Sequence, residues 1–235
     1  FSDFYFKTSN LTIPFIITTL VSSIITFIGI SKLKKFKIKQ IIREEGPKNH
    51  FLKQGTPTMG GMFFVPIGVI ISNILYFNKE DYKIIIALSF VIIFFMFIGF
   101  IDDFISLRKQ LNTGLSSKQK IILQFLISLI FIIFCASNNL ISHNIQIENK
   151  IVPIGNLIYP LGIFVLLAES NSTNLTDGLD GLLSGCSVLI FTGFAITILI
   201  ENPGNTFTLA PLCIVMAGAC MGFLFLNKYP AKLFM

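Results

Sequence analysis

Residues 84–103 read IIIALSFVIIFFMFIGFIDD, an uncharged run closed by two adjacent aspartates. A helix needs about 20 apolar residues to cross the hydrocarbon core, so the run predicts a transmembrane helix over 84–101. Asp102 and Asp103 then stand at the edge of the slab, where a carboxylate is tolerated when it faces water, a cation or a polar substrate.

The pattern repeats on either side. Further apolar runs lie at 11–30, 59–77, 121–136, 151–168, 182–200 and 207–226, which makes seven. The run at 121–136 is short, and 151–168 carries Pro153, Gly155, Asn156 and Pro160. The 235 residues are 53% hydrophobic and 13% charged with a mean hydropathy of +0.78, which excludes a water-soluble domain of this size. No linker, low-complexity tail or repeat divides the chain. The expectation is an all-α, polytopic membrane helix bundle of about seven transmembrane helices, forming one membrane-embedded domain over 1–235.

Cys135, Cys186, Cys213 and Cys220 all lie in apolar runs without CxxC or Cys/His spacing, which argues against a disulfide framework or a zinc site. The first apolar run is span-length and leads into a basic block, so no cleavable signal sequence is expected. A net charge of +6 could suit nucleic acid, but its placement points to membrane topology.

If all seven runs cross, 31–57, 102–120, 169–181 and 227–235 share a side that holds 14 of the 18 basic residues. By the positive-inside rule that side is cytoplasmic and the N-terminus is outside. The segment 169–181 breaks the trend with Glu169, Asp177 and Asp180 and no base, which a binding site would explain. This single-sided arrangement depends on the weak run 151–168 crossing. On the outer side, Ile145-Gln146-Ile147-Glu148 alternates as a hairpin strand would.

Four motifs on the basic side could carry chemistry. In 53–61, KQGTPTMGG, Thr56 can cap a helix that starts at Pro57, and Lys53 could add a contact to an anion at that helix end. Asp102 and Asp103, about 100° apart on a helix, point to different partners: one a general base or nucleophile, the other facing a cation or basic group. In 115–121, LSSKQKI, Ser116 or Ser117 caps the fourth span, with Lys118 and Lys120 at the mouth of the site. Lysines in a first turn oppose the dipole, so a phosphate partner would compensate for Lys118, while Lys120 reads as an ordinary loop lysine. In 171–181, NSTNLTDGLDG, Asn174 reads as a helix start and Asp177 and Asp180 as sharing one helical face, suited to Mg²⁺ or to the N–H and hydroxyl groups of a nucleoside.

Together these residues fit phosphoryl transfer at a membrane surface, with a lipid as one substrate and a soluble partner from the cytoplasm. Thr56-Pro57-Thr58-Met59-Gly60-Gly61, the Asp102-Asp103 pair with 116–120 downstream, and 174–181 resemble, in order and over essentially the whole chain, the phospho-N-acetylmuramoyl-pentapeptide transferases. These form the muramoyl branch of the polyprenyl-phosphate N-acetylhexosamine-1-phosphate transferase superfamily.

The resemblance implies an enzyme of peptidoglycan synthesis in the bacterial inner membrane, with its active site facing the cytoplasm. It would transfer phospho-MurNAc-pentapeptide from UDP-MurNAc-pentapeptide to undecaprenyl phosphate with Mg²⁺, giving lipid I and UMP. Asp102 would act on the lipid phosphate as base with Asp103 supporting it, and Asp177 completes the candidate catalytic set. Lys53, Thr58, Lys118, Asn174 and Asp180 would bind substrate, with Asn174 also a metal ligand. Whether an aspartate forms a covalent intermediate is open, as is a homodimer. Family members continue past a stretch like 229–232 into a Gly-Asp motif whose aspartate binds Mg²⁺, and later into a histidine cluster. The 235 residues therefore read as the N-terminal part of a ten-helix fold, inactive by themselves. Alternatives are a relative carrying a different sugar phosphate, such as GlcNAc-1-phosphate, and a transporter; a transporter would place its ionisable residues near the bilayer midplane.

Overall fold

The computed structural model describes residues 2–35, 56–77, 82–109, 114–147, 150–201 and 209–235. Seven helices account for most of them: α1 (Ser2–Lys35), α2 (Gly61–Tyr76), α3 (Tyr82–Lys109), α4 (Ser117–Ser137), α5 (Ile158–Thr176), α6 (Leu182–Glu201) and α7 (Leu209–Asn227). Between α4 and α5 lies an antiparallel hairpin of β1 (Asn144–Ile147) and β2 (Lys150–Pro153), which bears out the strand expected at 145–148 in type and place.

Large apolar side chains point outward along the helices, among them Ile13, Leu20 and Phe27 on α1 and Leu189 and Phe194 on α6. Water would not tolerate such a surface; lipid does. Residues 11–35 of α1, with α3, α4, α6 and α7, are long and apolar enough to cross a membrane, and α2 is a shorter apolar helix. This is a membrane helix bundle.

The expected run at 151–168 is divided differently. Residues 151–153 pair in β2, a 3-10 turn follows at Gly155–Leu157, and α5 starts only at Ile158. The helix then runs on through polar residues to Thr176, so α5 is not among the helices apolar enough to span. At 19 residues it is still about 28 Å long. Run length in sequence and helix length in space part company here because the hairpin takes the run's first residues.

One end of the bundle collects an end of every helix. Ile30 and Leu33 near the end of α1 pack with Phe64 of α2, with Phe223 and Leu226 of α7, and with Leu233. The starts of α4 and α6 and the ends of α3, α5 and α7 meet there through hydrogen bonds described below. Consecutive helices therefore alternate in direction, α5 included.

The centre is α7, whose buried residues run from Ala210 to Asn227. Its Gly218 and Gly222 let α1 approach closely: a Cβ on Gly218 would stand 2.7 Å from the Phe15 carbonyl oxygen, and one on Gly222 would clash with that of Thr19. Ser22 Oγ donates to the Ala219 carbonyl at 2.8 Å across the same seam. Small residues with an occasional hydroxyl are what helix association in lipid favours, since apolar side chains gain nothing by leaving hydrocarbon for one another.

Candidate active site

The apolar run of α3 ends at Ile101, and the two aspartates lie just past it in the turns that lead to Lys109. Being successive on a helix they diverge, as expected. Asp102 Oδ2 accepts from Lys120 Nζ at 2.8 Å, and its Oδ1 accepts from the Leu115 backbone N–H at 2.8 Å. Asp103 Oδ2 accepts from Thr58 Oγ1 at 2.9 Å. The chain closes tightly on Asp102: a Cβ on Gly114 would stand 2.5 Å from Asp102 Oδ1.

Lys120 is held by the helix start expected at Ser116. That residue caps α4, accepting from the Gln119 N–H, while the Gln119 side chain accepts from the Ser116 N–H. The reciprocal bonds fix the first turn, and Lys120 follows one residue later. The dipole cost of a lysine there is offset by Asp102. The two lysines thus exchange the places expected of them. Lys120, read as a loop lysine, is the one joined to the acids, and Lys118 stands exposed without an acidic partner among the described residues.

Thr56 does not cap a helix. Residues 56–59 belong to no helix or strand, Met59 has φ 71°, and α2 begins at Gly61 with Gly60 as an N-cap that makes no side-chain capping bond. The backbone groups go instead to the segment after α7: the Gly60 N–H donates to the Phe234 carbonyl at 2.8 Å, and the Phe234 N–H to the Pro57 carbonyl at 2.9 Å. This pairing presents Thr58 to Asp103. The Thr58 hydroxyl also lies 3.5 Å from the Met235 carbonyl.

Residues 174–181 likewise close one helix and lead to the next. Asn174 stands exposed in the last turn of α5, Asp177 is the C-cap of α5, and Asp180 lies in the turn before α6, so the two acids do not share a helical face. The apolar start of α5 propagates helix into the polar stretch as far as Thr176, Asp177 caps it, and Gly181, with φ 76°, leads the chain into α6. Asp180 Oδ2 accepts from the Ala231 N–H at 3.1 Å. Asn227, buried at the end of α7, accepts from the Gly181 N–H at 3.1 Å and from Ser184 Oγ at 2.8 Å, and donates to the Leu233 carbonyl at 2.9 Å.

The two acidic clusters come together at this end of the bundle. Burial raises the Asp103 carboxyl to about 6; the Thr58 hydrogen bond opposes this, the charges of Asp102 and Asp177 add to it, and Lys120 opposes it. Asp177 is thus close enough to act on Asp103. Among the described residues, no group of three or more His, Cys, Asp or Glu is placed to hold a metal ion. Mg²⁺ often takes only one or two protein carboxylates and completes its shell with phosphate and water, and Asp103 and Asp177 could serve in that way. Lys53 lies outside the described residues.

Sequence reasoning placed Lys120 at the mouth of the site but read it as an ordinary loop lysine, and it passed over Asn227. Lys120 carried a signal: it lies one turn before Gln124, a second polar residue in an otherwise apolar run. Asn227 had a weaker one, an amide closing an apolar run just before Lys228-Tyr229-Pro230.

The family described as glycosyl transferase family 4 matches residues 85–235. The whole chain is 86% identical over 235 residues to the phospho-N-acetylmuramoyl-pentapeptide-transferase of Prochlorococcus marinus (strain NATL2A), covering 63% of that relative. A protein of the same name from Prochlorococcus marinus (strain MIT 9313) is 46% identical over 100% of this chain and 63% of its own length. Another from Synechococcus sp. (strain CC9311) is 44% identical over 100% of this chain and 64% of its own. The chain thus spans just under two thirds of the length of these relatives.

Proposed function

The chain belongs to glycosyl transferase family 4, and from that premise we propose that the whole protein transfers phospho-MurNAc-pentapeptide from UDP-MurNAc-pentapeptide to undecaprenyl phosphate, giving lipid I and UMP. The observation that carries this reading is the 86% identity, along all 235 residues, to a relative of that name. The carboxylates, lysine and hydroxyl gathered at one end of a membrane bundle supply the chemistry it needs.

An oxygen of the lipid phosphate attacks the phosphorus that carries the sugar, the bond to the UMP oxygen breaks, and UMP leaves. Asp103, poised near 6 and half-buried, is suited to take the proton of the lipid phosphate. Asp102 anchors Lys120 beside it, where the ammonium can face phosphate oxygens. This reverses the division in which Asp102 is the base. Thr58 holds the Asp103 carboxylate, while Asn174, Asp177 and Asp180, with Lys53 and Lys118, line the nucleotide side. Asp103 or Asp177, with Asn174, would hold Mg²⁺, which would supply neutralisation of the charge that develops on the donor phosphates. The site faces the cytoplasm from the bacterial inner membrane, the side on which the basic residues gather.

The test is UMP release by the protein at the full length of its relatives, with undecaprenyl phosphate and either UDP-MurNAc-pentapeptide or UDP-GlcNAc as donor. Turnover of the first and not the second is expected. Turnover of UDP-GlcNAc alone would move the protein to the neighbouring branch of the superfamily.

A further inference from the structure

We propose that Gln124 is a positioning residue that sets the end of α5, and with it Asp177, against the Asp102–Lys120 pair. The inference rests on the functional reading above for its kinetic arm only.

Lys120 and Gln124 are four residues apart on α4 and so share a face, about 6 Å apart along the axis. They reach opposite neighbours. Lys120 Nζ meets Asp102 on α3 at 2.8 Å, and Gln124 meets α5: its Nε2 donates to Ser170 Oγ at 3.0 Å and its Oε1 accepts from Asn171 Nδ2 at 2.9 Å. Gln124 is 3% exposed, so its amide gives up water for these bonds. Asn171 Nδ2 also donates to the Leu167 carbonyl at 2.7 Å, so both hydrogens of its amide are engaged and its orientation toward Gln124 is fixed.

No residue of α5 is buried, so packing alone holds this helix loosely. Its close approach to α4, where a Cβ on Gly162 would stand 2.8 Å from Ile132 Cδ1, leaves rotation and sliding of the helix undetermined. Among the described residues, Gln124 makes the hydrogen bonds that join α5 to another helix. From Asn171 to Asp177 is about 9 Å of helix, so a turn of α5 about its axis would carry Asp177 away from Asp103. One face of α4 thus acts as a splint between the two acid-bearing helix ends.

The test uses the protein at the full length of its relatives, with Gln124→Met, which keeps volume and loses both bonds, and the triple variant Gln124→Met/Ser170→Ala/Asn171→Leu, which leaves no polar group unpaired. Spin labels at Ser117→Cys and Ser172→Cys, with the native cysteines replaced by alanine, report the α4–α5 distance whether or not the protein turns over. The expected result is a broadened or shifted distance distribution in both variants. The KM for UDP-MurNAc-pentapeptide should rise at least tenfold, with that for undecaprenyl phosphate within twofold, and the triple variant should regain thermal stability but not donor KM. An unchanged distance distribution overturns the proposal, as do two unchanged KM values with activity that follows the folded fraction. Absence of wild-type turnover with this donor would sink the functional reading and leave the distance measurement to decide the splint.

Discussion

Lys120 Nζ stands 2.8 Å from Asp102 Oδ2, and each side chain is about one fifth exposed, so this pair joining α3 to α4 lies largely out of water. Removing one partner of such a pair costs more than the pair's net worth, because the other charge is left without compensation. Lys120→Met in the full-length protein should lower the rate of UMP release roughly 10²-fold, the scale of losing one electrostatic contact to the reacting group. Lys150→Met, an exposed lysine in the hairpin at the other end of the bundle, should stay within about threefold. Equal losses for the two would mean that the pairing at Asp102 does not direct the chemistry.

Asp103 gives a prediction with a definite sign in pH. Its carboxyl titrates near 6 in the fold against 3.8 normally, so the folded protein binds a proton that the unfolded chain does not between those values. Its ionised form burdens the fold, and the burden lifts as pH falls through about 6 toward 3.8. Asp103→Asn removes a charge and keeps an acceptor for Thr58. The variant should therefore melt at or above the wild-type temperature at pH 7.5, the gap should shrink toward pH 5, and turnover should fall roughly 10²-fold or more. Melting curves at several pH values check it; a gap that widens on acidification contradicts the assignment.

Gly114 is a steric sentinel for Asp102. A methyl group there meets the Asp102 carboxyl and backbone oxygens, and backbone cannot give way cheaply. Gly114→Ala should cost about 1–3 kcal/mol of stability and lower turnover, with both Lys120 and Leu115 displaced from their bonds. Thermal melting and UMP release measured together check it, and a variant with wild-type values for both would show that the loop has room.

The alternation of helix directions sets the expected topology. A reporter fused after Lys150 in the hairpin should read the outer side, and one fused after Gly181 the cytoplasm. If both read the same side, the end of α5 does not stand with the ends of α3 and α7 in the membrane, and the single-sided site fails.

How much of this was legible in sequence varies with the interaction that decides each element. The apolar runs announced the helices, because burial in hydrocarbon is a property of each run by itself, and the serines at 116 and 117 announced the start of α4, which Ser116 caps, because capping is local. The starts assigned at Thr56 and Asn174 were misplaced for a shared reason. Thr56–Gly60 is recruited by Phe234, and Asn174 lies on a helix propagated from Ile158, so the first depends on a partner almost 180 residues away and the second on the run upstream. The site's acids were visible as charges where charges are costly. Which lysine serves them was not, since Lys118 and Lys120 differ only in the direction α4 turns them.

The Ser22 hydroxyl and the Ala219 carbonyl that it meets are separated by 197 residues. At 5–20 residues per second of synthesis, α1 enters the membrane about 10–40 seconds before α7 arrives to cover its hydroxyl face. During that wait, Thr18 and Thr19 can donate to the carbonyls of Pro14 and Phe15 within their own helix. α1 is thus kept waiting for α7, and whatever holds it in the interval, insertion machinery or lipid, governs how much of the newly made chain matures.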